Sequence, residues 1–491
     1  MESNKNNNIQ VNPIYNNIDN LHDKIKVDLN NVLVLFVNPI SGNQEGKIFL
    51  EIAEKYQTKE GYKIIDFSKI KSSDSKIKYE PFKAVFFKLI DKKEFEKGLE
   101  LIRSYQESIS HGEVVKTIIA GGDGTVLSII QQLDKEGIDV NKCIFGHVPL
   151  GTGNDLSNSL GFSNHVDIKN NVDSLYKILI KYQKALLGRV DVWDMELKLD
   201  DKNGEIFFNT KKGKIIKKDE DGNIIKLYKR TFINYLSLGY DARVGYNFDK
   251  NRTSSRIGNK CIYFWEGVKK NFCRSTINIT GFLESFTVYN DPEQSVNQPS
   301  FDSFDKDNDN DNENIDIKFM FKSKFALTEA EQHKKCIVIR GEPCSIVCQN
   351  INLYMAGVKD IWKNGKENMS IKLINGTKED EKIYEEKFKK MANQPQKLDD
   401  KQLEFFTFDS GMKTGLEKVI GGLAKKIYHG RGPILMKFKE TPALHEEDKK
   451  NRIYLNVDGE YFHIVCPVSL KIQINKNLCN GQIPFLINKN I

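Results

Sequence analysis

Three stretches of this sequence place glycines, hydroxyls and carboxylates directly after apolar runs. The first is "VLVLFVNPISGNQEGK", Val32 to Lys47, where Asn38, Ser41 and Gly42 follow six apolar residues. The second, "IIAGGDGTVLSII", contains Gly121, Gly122, Asp123, Gly124 and Thr125. The third, "PLGTGNDL", contains Gly151, Thr152, Gly153, Asn154 and Asp155. A glycine turn that ends a strand and opens a helix lets backbone N–H groups approach an anion. Thr152 and Asn154 add side-chain donors for phosphate oxygens. A carboxylate such as Asp123 has a use beside a triphosphate where it reaches magnesium or an acceptor hydroxyl. Asp155 could bind magnesium or cap the next helix. A fourth stretch, "NVDGEYF", carries Asp458 and Glu460. Residues two apart on a strand share a face, so both carboxylates can address one cleft. The competing reading is a hairpin turn with a solvated Glu460.

The first turn is not a P-loop. Only three residues separate Gly42 from Gly46, and Ile48 stands where a Ser or Thr would hold magnesium. Any one of the three turns also reads as an ordinary tight connection with an Asp cap. Together they carry more weight, because ligands of parallel sheets gather at the carboxyl ends of the strands.

The elements that must position these residues follow from periodicity. Val32–Val37 is continuously apolar, as expected for a strand buried on both faces. Phe95, Leu99, Ile102, Tyr105 and Ile109 make a helical stripe. Val114–Ala120 and Cys143–Val148 are further strands, each followed by one of the turns. Strand–helix alternation predicts an α/β, Rossmann-like three-layer domain over 31–165. From 185 to 475, short β-branched and aromatic runs such as "VDVWDMELKL" and "RIYLNVDGEYFHIV" predict a β-sandwich. Polar stretches near 200–228, 290–335 and 375–398 read as surface insertions, and the Asn-rich 1–30 as a disordered tail.

Composition narrows the function. The net charge is 74 − 67 = +7, which suits an anionic partner such as ATP or an acidic membrane surface and is not a nucleic-acid signal. Eight dispersed cysteines with no C-x-x-C pair argue against structural zinc and read as reduced thiols. The start lacks an apolar signal core, and no run of 18 apolar residues exists. These features predict a cytoplasmic chain. "DKDNDNDNENID", Asp305 to Asp316, has Asn310 and Asp316 where a calcium-binding EF-hand needs Gly and Glu, so it reads as an acidic loop.

The three turns in this order resemble the catalytic region of eukaryotic-type diacylglycerol kinases. "INYLSLGYDARV", "SSRIGNKCIYF", "NINLYMAG", "DDKQLEFF" and "VDGEYFHI" resemble their accessory region, so the likeness runs over about 32–475. NAD kinases share the Gly-Gly-Asp-Gly turn but not Asn-Pro-x-Ser-Gly. Sphingosine and ceramide kinases have a Gly-Ser-Gly-Asn turn. The resemblance implies ATP- and magnesium-dependent phosphorylation of diacylglycerol to phosphatidate at a membrane surface, attenuating diacylglycerol signalling. The alternatives are a kinase for sphingosine, ceramide or monoacylglycerol, or an inactive lipid or nucleotide sensor.

By the same resemblance, Asn38, Ser41, Gly42, Gly121, Gly122, Gly124, Thr125, Gly151, Thr152, Gly153 and Asn154 line the nucleotide cleft. Asp123 holds magnesium–ATP, Glu460 is the general base with Asp458 beside it, and Asp155 and Asp241 shape the acceptor site. Bacterial relatives hold a structural magnesium near the motif matched by Asp399-Asp400. Lys401 replaces their Gly and puts that site in doubt. The family's zinc-binding C1 modules and a usable EF-hand pair are not expected here. Leu416, Val419, Ile420, Leu423 and Ile427 fall on one helical face flanked by lysines. The expectation is that this face packs into the core, with docking on anionic lipid the alternative.

Overall fold

The computed structural model describes residues 31–488 apart from 42–43, 59–60, 109–112, 211–212, 252–277, 290–314, 321–335, 340–342, 355–356, 367–370, 375–376 and 440–452. The tail at 1–30, Gly42 and most of the acidic stretch 305–316 therefore lie outside the described residues.

Strands β1 (Val32–Val37), β2 (Lys63–Asp66), β3 (Lys83–Lys88), β4 (Val115–Gly121) and β5 (Cys143–Pro149) alternate with helices. The helices are α1 (Glu45–Glu54), α2 (Lys92–Ser108), α3 (Asp123–Lys135), α4 (Asp155–Ser159) and α5 (Val172–Gln183). Every residue of β1 and β5 is buried, because helices cover both faces of the sheet. Alternate β1 side chains divide between two cores. Val34 and Phe36 meet Phe95 and Leu99 of α2, whereas Leu33 and Leu35 meet Phe49 and Ile52 of α1 and Leu179 of α5.

β1 pairs in parallel with both β3 and β4, and β4 with β5. The chain thus leaves β1 in one direction to β3 and returns on the other side to β4 and β5. Strand order reverses between β1 and β4, and such a reversal opens a crevice at the carboxyl ends of the strands. The three glycine turns sit at the ends of β1, β4 and β5.

The sheet does not stop at β5. It has seven strands, and the last two are Gln482–Ile487 from the end of the chain and β6 (Leu186–Asp191). Phe485 pairs in register with Phe145, and Gln482–Ile487 runs antiparallel to β6 over six residues. The expected division into 31–165 and 185–475 is corrected accordingly, since the first domain takes its outer strands from beyond both boundaries. Local pattern cannot show this, because a strand's partner is set by long-range register.

Among the described residues the remainder forms two eight-stranded, mostly antiparallel sheets that share one core, and a two-stranded ribbon. Two of the expected insertions are structural. Residues 200–228 contain strands Glu205–Thr210 and Gly213–Ile216, which extend one sheet beyond Glu460–Val465. Residues 375–398 contain a helix, Lys378–Ala392, with a Thr377/Asp380 capping box, and its Tyr384 and Phe388 pack on the sandwich core. Within 290–335, Ile315–Met320 pairs with Leu283–Tyr289.

One glycine sets the first turn. A Cβ on Gly46 would lie 2.0 Å from the Asn38 carbonyl oxygen, so α1 approaches the turn as only glycine allows. Gly46→Ala is expected to destabilise the protein by about 1–3 kcal/mol through overpacking. An unchanged denaturation midpoint would show that the turn yields freely. Lys47, by contrast, is a surface residue paired with Glu51 at 3.4 Å.

Candidate active site

The turns interlock through backbone. The Asn38 N–H donates to the Ala120 carbonyl at 2.9 Å, and the Leu150 N–H to the Gly121 carbonyl at 2.8 Å. Asn38 Oδ1 accepts the Ile40 N–H at 3.2 Å, and Ser41 closes back onto the Asn38 carbonyl. A Cβ on Gly151 would lie 2.7 Å from the Gly122 Cα, and one on Gly121 would lie 2.9 Å from the Thr125 Cβ. The second and third turns therefore touch backbone to backbone. Gly124 faces open space. Thr152 and Gly153 are half-buried in the third turn.

Two expected ligand donors hold the turns themselves. Asn154 is fully buried in the left-handed region, with φ 56°. Its amide accepts the Gly151 N–H and donates to the carbonyls of Gly151 and Asn164, all at 2.8 Å. Its polar atoms are thus committed to the fold, and it is corrected from a phosphate donor to the brace of the third turn. Asp123 opens α3, and its two oxygens accept the N–H groups of Asp155 and Leu156 at 3.0 and 3.2 Å, tying the second turn to α4.

Burial, and then repulsion from Asp155 and Asp458, push the Asp123 carboxyl well above the ordinary range. The ring of His147 approaches it at 3.7 Å, but burial lowers that imidazole to about 4, so it is neutral and gives no counter-charge. Asp155 is buried beside the Tyr235 hydroxyl, 3.4 Å away. This pair of carboxyls suits a divalent cation carried on phosphates, since magnesium commonly takes one or two carboxylates and completes its shell from substrate and water. Among the described residues no three His, Cys, Asp or Glu side chains converge as a metal shell of their own.

A cleft of about 670 Å³ opens beside the turns, between the two domains. One wall is α3, with Gly124, Ser128 and Gln131, and the other is the sandwich, with Lys229, Arg230 and Lys471. Asp458 and Glu460 both line it, but not as neighbours on a strand face. Asp458 and Gly459 have φ of 49° and 80°, so they form the turn between strands Ile453–Val457 and Glu460–Val465. The half-buried Asp458 carboxylate accepts the N–H groups of Ile233, Asn234 and Tyr235 at 2.9, 2.9 and 3.0 Å. It fixes the hairpin and leaves Glu460 projecting.

Glu460 is 57% exposed and meets Arg230 at 2.5 Å. Burial pushes its carboxyl up, but the Arg230 hydrogen bond and charge, with Lys217 adding, outweigh this and hold it below the usual range. The sequence reading missed the three cations Lys229, Arg230 and Lys471. Lys229 and Arg230 lie on a partly exposed strand, Leu227–Phe232, whereas Lys471 is 7% exposed on a strand that packs in the core. A lysine inside a sandwich strand such as "PVSLKIQI" is the signal that was available.

Two further sites are corrected. Asp241 is not among the residues that line the cleft. It is buried in the accessory domain, where the hydroxyls of Ser237 and Tyr354 donate to it. At Asp399-Asp400, the Asp400 carboxylate accepts both the backbone and side-chain amides of Gln402 at 3.1 Å. Lys401 takes φ 57° and gives its N–H to Asp191. The Asp400 oxygens thus serve their own turn, and among the described residues no group of three His, Cys, Asp or Glu side chains forms a metal site there.

The family model of the diacylglycerol kinase catalytic domain matches residues 32–185, and that of the diacylglycerol kinase accessory domain matches residues 231–461. The chain belongs to the diacylglycerol kinase family. It is 28% identical over 271 residues to Diacylglycerol kinase 3 of Arabidopsis thaliana, covering 51% of each. It is 27% identical over 238 residues to human Diacylglycerol kinase iota, covering 47% of this chain and 18% of that one. The chain thus spans about half the length of the first of these relatives. A solved Bacillus anthracis str. Sterne chain aligns over 93% of this chain and 97% of its own length, at 12% identity and a TM-score of 0.40. Among the described residues no helix is long and apolar enough to cross a membrane.

Proposed function

We propose that this kinase transfers the γ-phosphoryl group of ATP to the primary hydroxyl of a diacylglycerol, yielding phosphatidate and ADP. The observation that carries the reading is the meeting of the Gly-Gly-Asp-Gly and Gly-Thr-Gly-Asn turns, Gly122 against Gly151, with Gly124 of the former lining the same cleft as Glu460. Phosphoryl transfer depends on positioning and charge neutralisation, and this site offers both. The turns of β1, β4 and β5 cradle the triphosphate with backbone N–H groups and with Asn38, Ser41 and Thr152. Asp123 and Asp155 are the residues that would hold magnesium, which neutralises phosphate charge when it arrives with ATP. The acceptor lies in the cleft. Its hydroxyl oxygen attacks the γ-phosphorus while Glu460 takes the hydroxyl proton, and the bond from that phosphorus to the β–γ bridging oxygen breaks. Lys229, Arg230 and Lys471 offset the negative charge that accumulates beside Gly124.

The test is radiolabelled ATP with mixed micelles of diacylglycerol, sphingosine and ceramide, resolved by thin-layer chromatography. Label is expected in phosphatidate. Label confined to a sphingolipid, or ATP binding with no labelled lipid, would overturn the reading.

A further inference from the structure

Helix α6 (Tyr240–Asn251) packs against the hairpin that carries Asp458 and Glu460, and α7 (Gly411–Ile420) touches α6. The short helix α7 is turned inside out. Its polar Thr414 and Glu417 are 3% and 4% exposed, whereas Met412, Leu416, Val419 and Ile420 are 60%, 37%, 81% and 67% exposed. At 3.6 residues per turn those four side chains lie within an arc of about 100°. This overturns the expectation that the apolar face packs into the core. The helix also ends at Ile420, so Leu423 and Ile427 are not on it, and Ile427 is buried in strand Lys425–Gly430.

The orientation is fixed from the buried side. The Thr414 hydroxyl donates to the Ser410 carbonyl at 3.1 Å. The Glu417 carboxylate accepts the N–H groups of Gly422, Leu423 and Ala424 at 3.0, 2.7 and 3.2 Å, which shapes the exit of the helix. Rolling the helix to bury its apolar stripe would strand these groups, and a buried unpaired carboxylate is far costlier than an exposed methyl group. The stripe is therefore held outward.

Its rim is basic. Residues 409–431 carry Lys413, Lys418, Lys425, Lys426 and Arg431 against Asp409 and Glu417, a balance of 5 − 2 = +3. Lys426 and Glu417 are turned inward, while Lys413 and Lys425 share Asp409 at 2.6 and 2.9 Å. Exposed Lys366 continues the rim, its N–H donating to the Ala424 carbonyl at 2.9 Å.

We infer that α7 lies in the headgroup–acyl boundary of an anionic bilayer, with Met412, Leu416, Val419 and Ile420 inserted and the lysines on the lipid phosphates. Two arguments favour lipid over a second copy of the chain. A ten-residue helix presents a stripe about 15 Å long, well short of the roughly 800 Å² per partner of a stable protein interface. A basic rim also repels its own copy across a twofold axis but is drawn to anionic lipid. Through α6, insertion of α7 would also orient the cleft toward the bilayer. That consequence rests on the proposed lipid-kinase reading, whereas the docking itself does not.

The experiment is flotation of the full chain with vesicles of phosphatidylcholine alone and of phosphatidylcholine with phosphatidylserine. The wild-type chain is expected to bind the anionic vesicles more tightly, and less so at high salt. The triple variant Leu416→Ser, Val419→Ser, Ile420→Ser is expected to lose at least about tenfold in vesicle affinity, as removal of inserted apolar area implies. Its thermal midpoint and its turnover of a short-chain, micelle-dispersed diacylglycerol should be unchanged. Val419→Trp is expected to bind more tightly. Equal binding by wild type and the triple variant overturns the inference. So does conversion of a dimer to a monomer in the triple variant with vesicle binding retained. Vesicle binding that follows these expectations in a chain that phosphorylates no lipid leaves α7 as the docking element and overturns the kinase reading instead.

Discussion

Glu460→Gln is expected to lower kcat on diacylglycerol by about 10²–10⁴-fold, the usual worth of a positioned general base. The fold should be undisturbed, because the side chain is 57% exposed and Asp458, not Glu460, pins the hairpin. The pH profile separates the base from a passive wall residue. Arg230 holds the Glu460 carboxyl below its ordinary value, so the wild-type acid limb should lie below the usual carboxylate range. Arg230→Leu removes the main counter-charge and should move the acid limb of kcat/KM upward. Near-normal turnover in Glu460→Gln, or an acid limb that ignores Arg230→Leu, would assign the proton to another group.

The catalytic half of the molecule was legible because its signals are local. Val32–Val37 is apolar throughout and Cys143–Pro149 is so but for His147, and such runs form strands only where both faces are covered. The turns follow them directly, so their placement at one sheet edge followed once the strands were parallel. What escaped depended on long-range partners or on backbone angles. "QIPFLI" at 482–487 reads as an isolated apolar run, and nothing local ties it to β5 and β6. Asp458 and Glu460 satisfy strand spacing, but positive φ at Asp458 and Gly459 turns the chain between them. Asn154 has the chemistry of a phosphate donor, yet its own turn uses that chemistry first. In α7 the periodicity found Leu416, Val419 and Ile420 but carried the stripe past the helix end to Leu423 and Ile427, and could not say which side faces water. That is decided by Glu417 and the three amides it holds.

Asp123→Asn tests the centre of the site through two readouts. Turnover is expected to fall by about 10²–10³-fold or more, the scale on which preorganised electrostatic groups act. The second readout is stability against pH. Wild-type Asp123 is half-buried beside Asp155 and Asp458, and its only ion-pair neighbour within reach among the described residues is the neutral His147. Its folded-state carboxyl therefore titrates above its unfolded value. A carboxyl shifted upward binds its proton more tightly when folded, so ionisation at high pH weakens the fold and protonation at lower pH restores it. Asparagine does not titrate. It keeps one acceptor for the α4 amides and turns an NH₂ toward the other, a cost that does not vary with pH. Wild-type stability relative to Asp123→Asn should hence improve steadily as pH falls from above neutrality toward the ordinary carboxylate range, and level off there. A flat difference would mean that Asp123 is not strained by its neighbours and acts only as a cap. A rising difference together with lost turnover fits a carboxylate whose missing counter-charge arrives with the nucleotide, since function retained at the expense of stability is the mark of such a group.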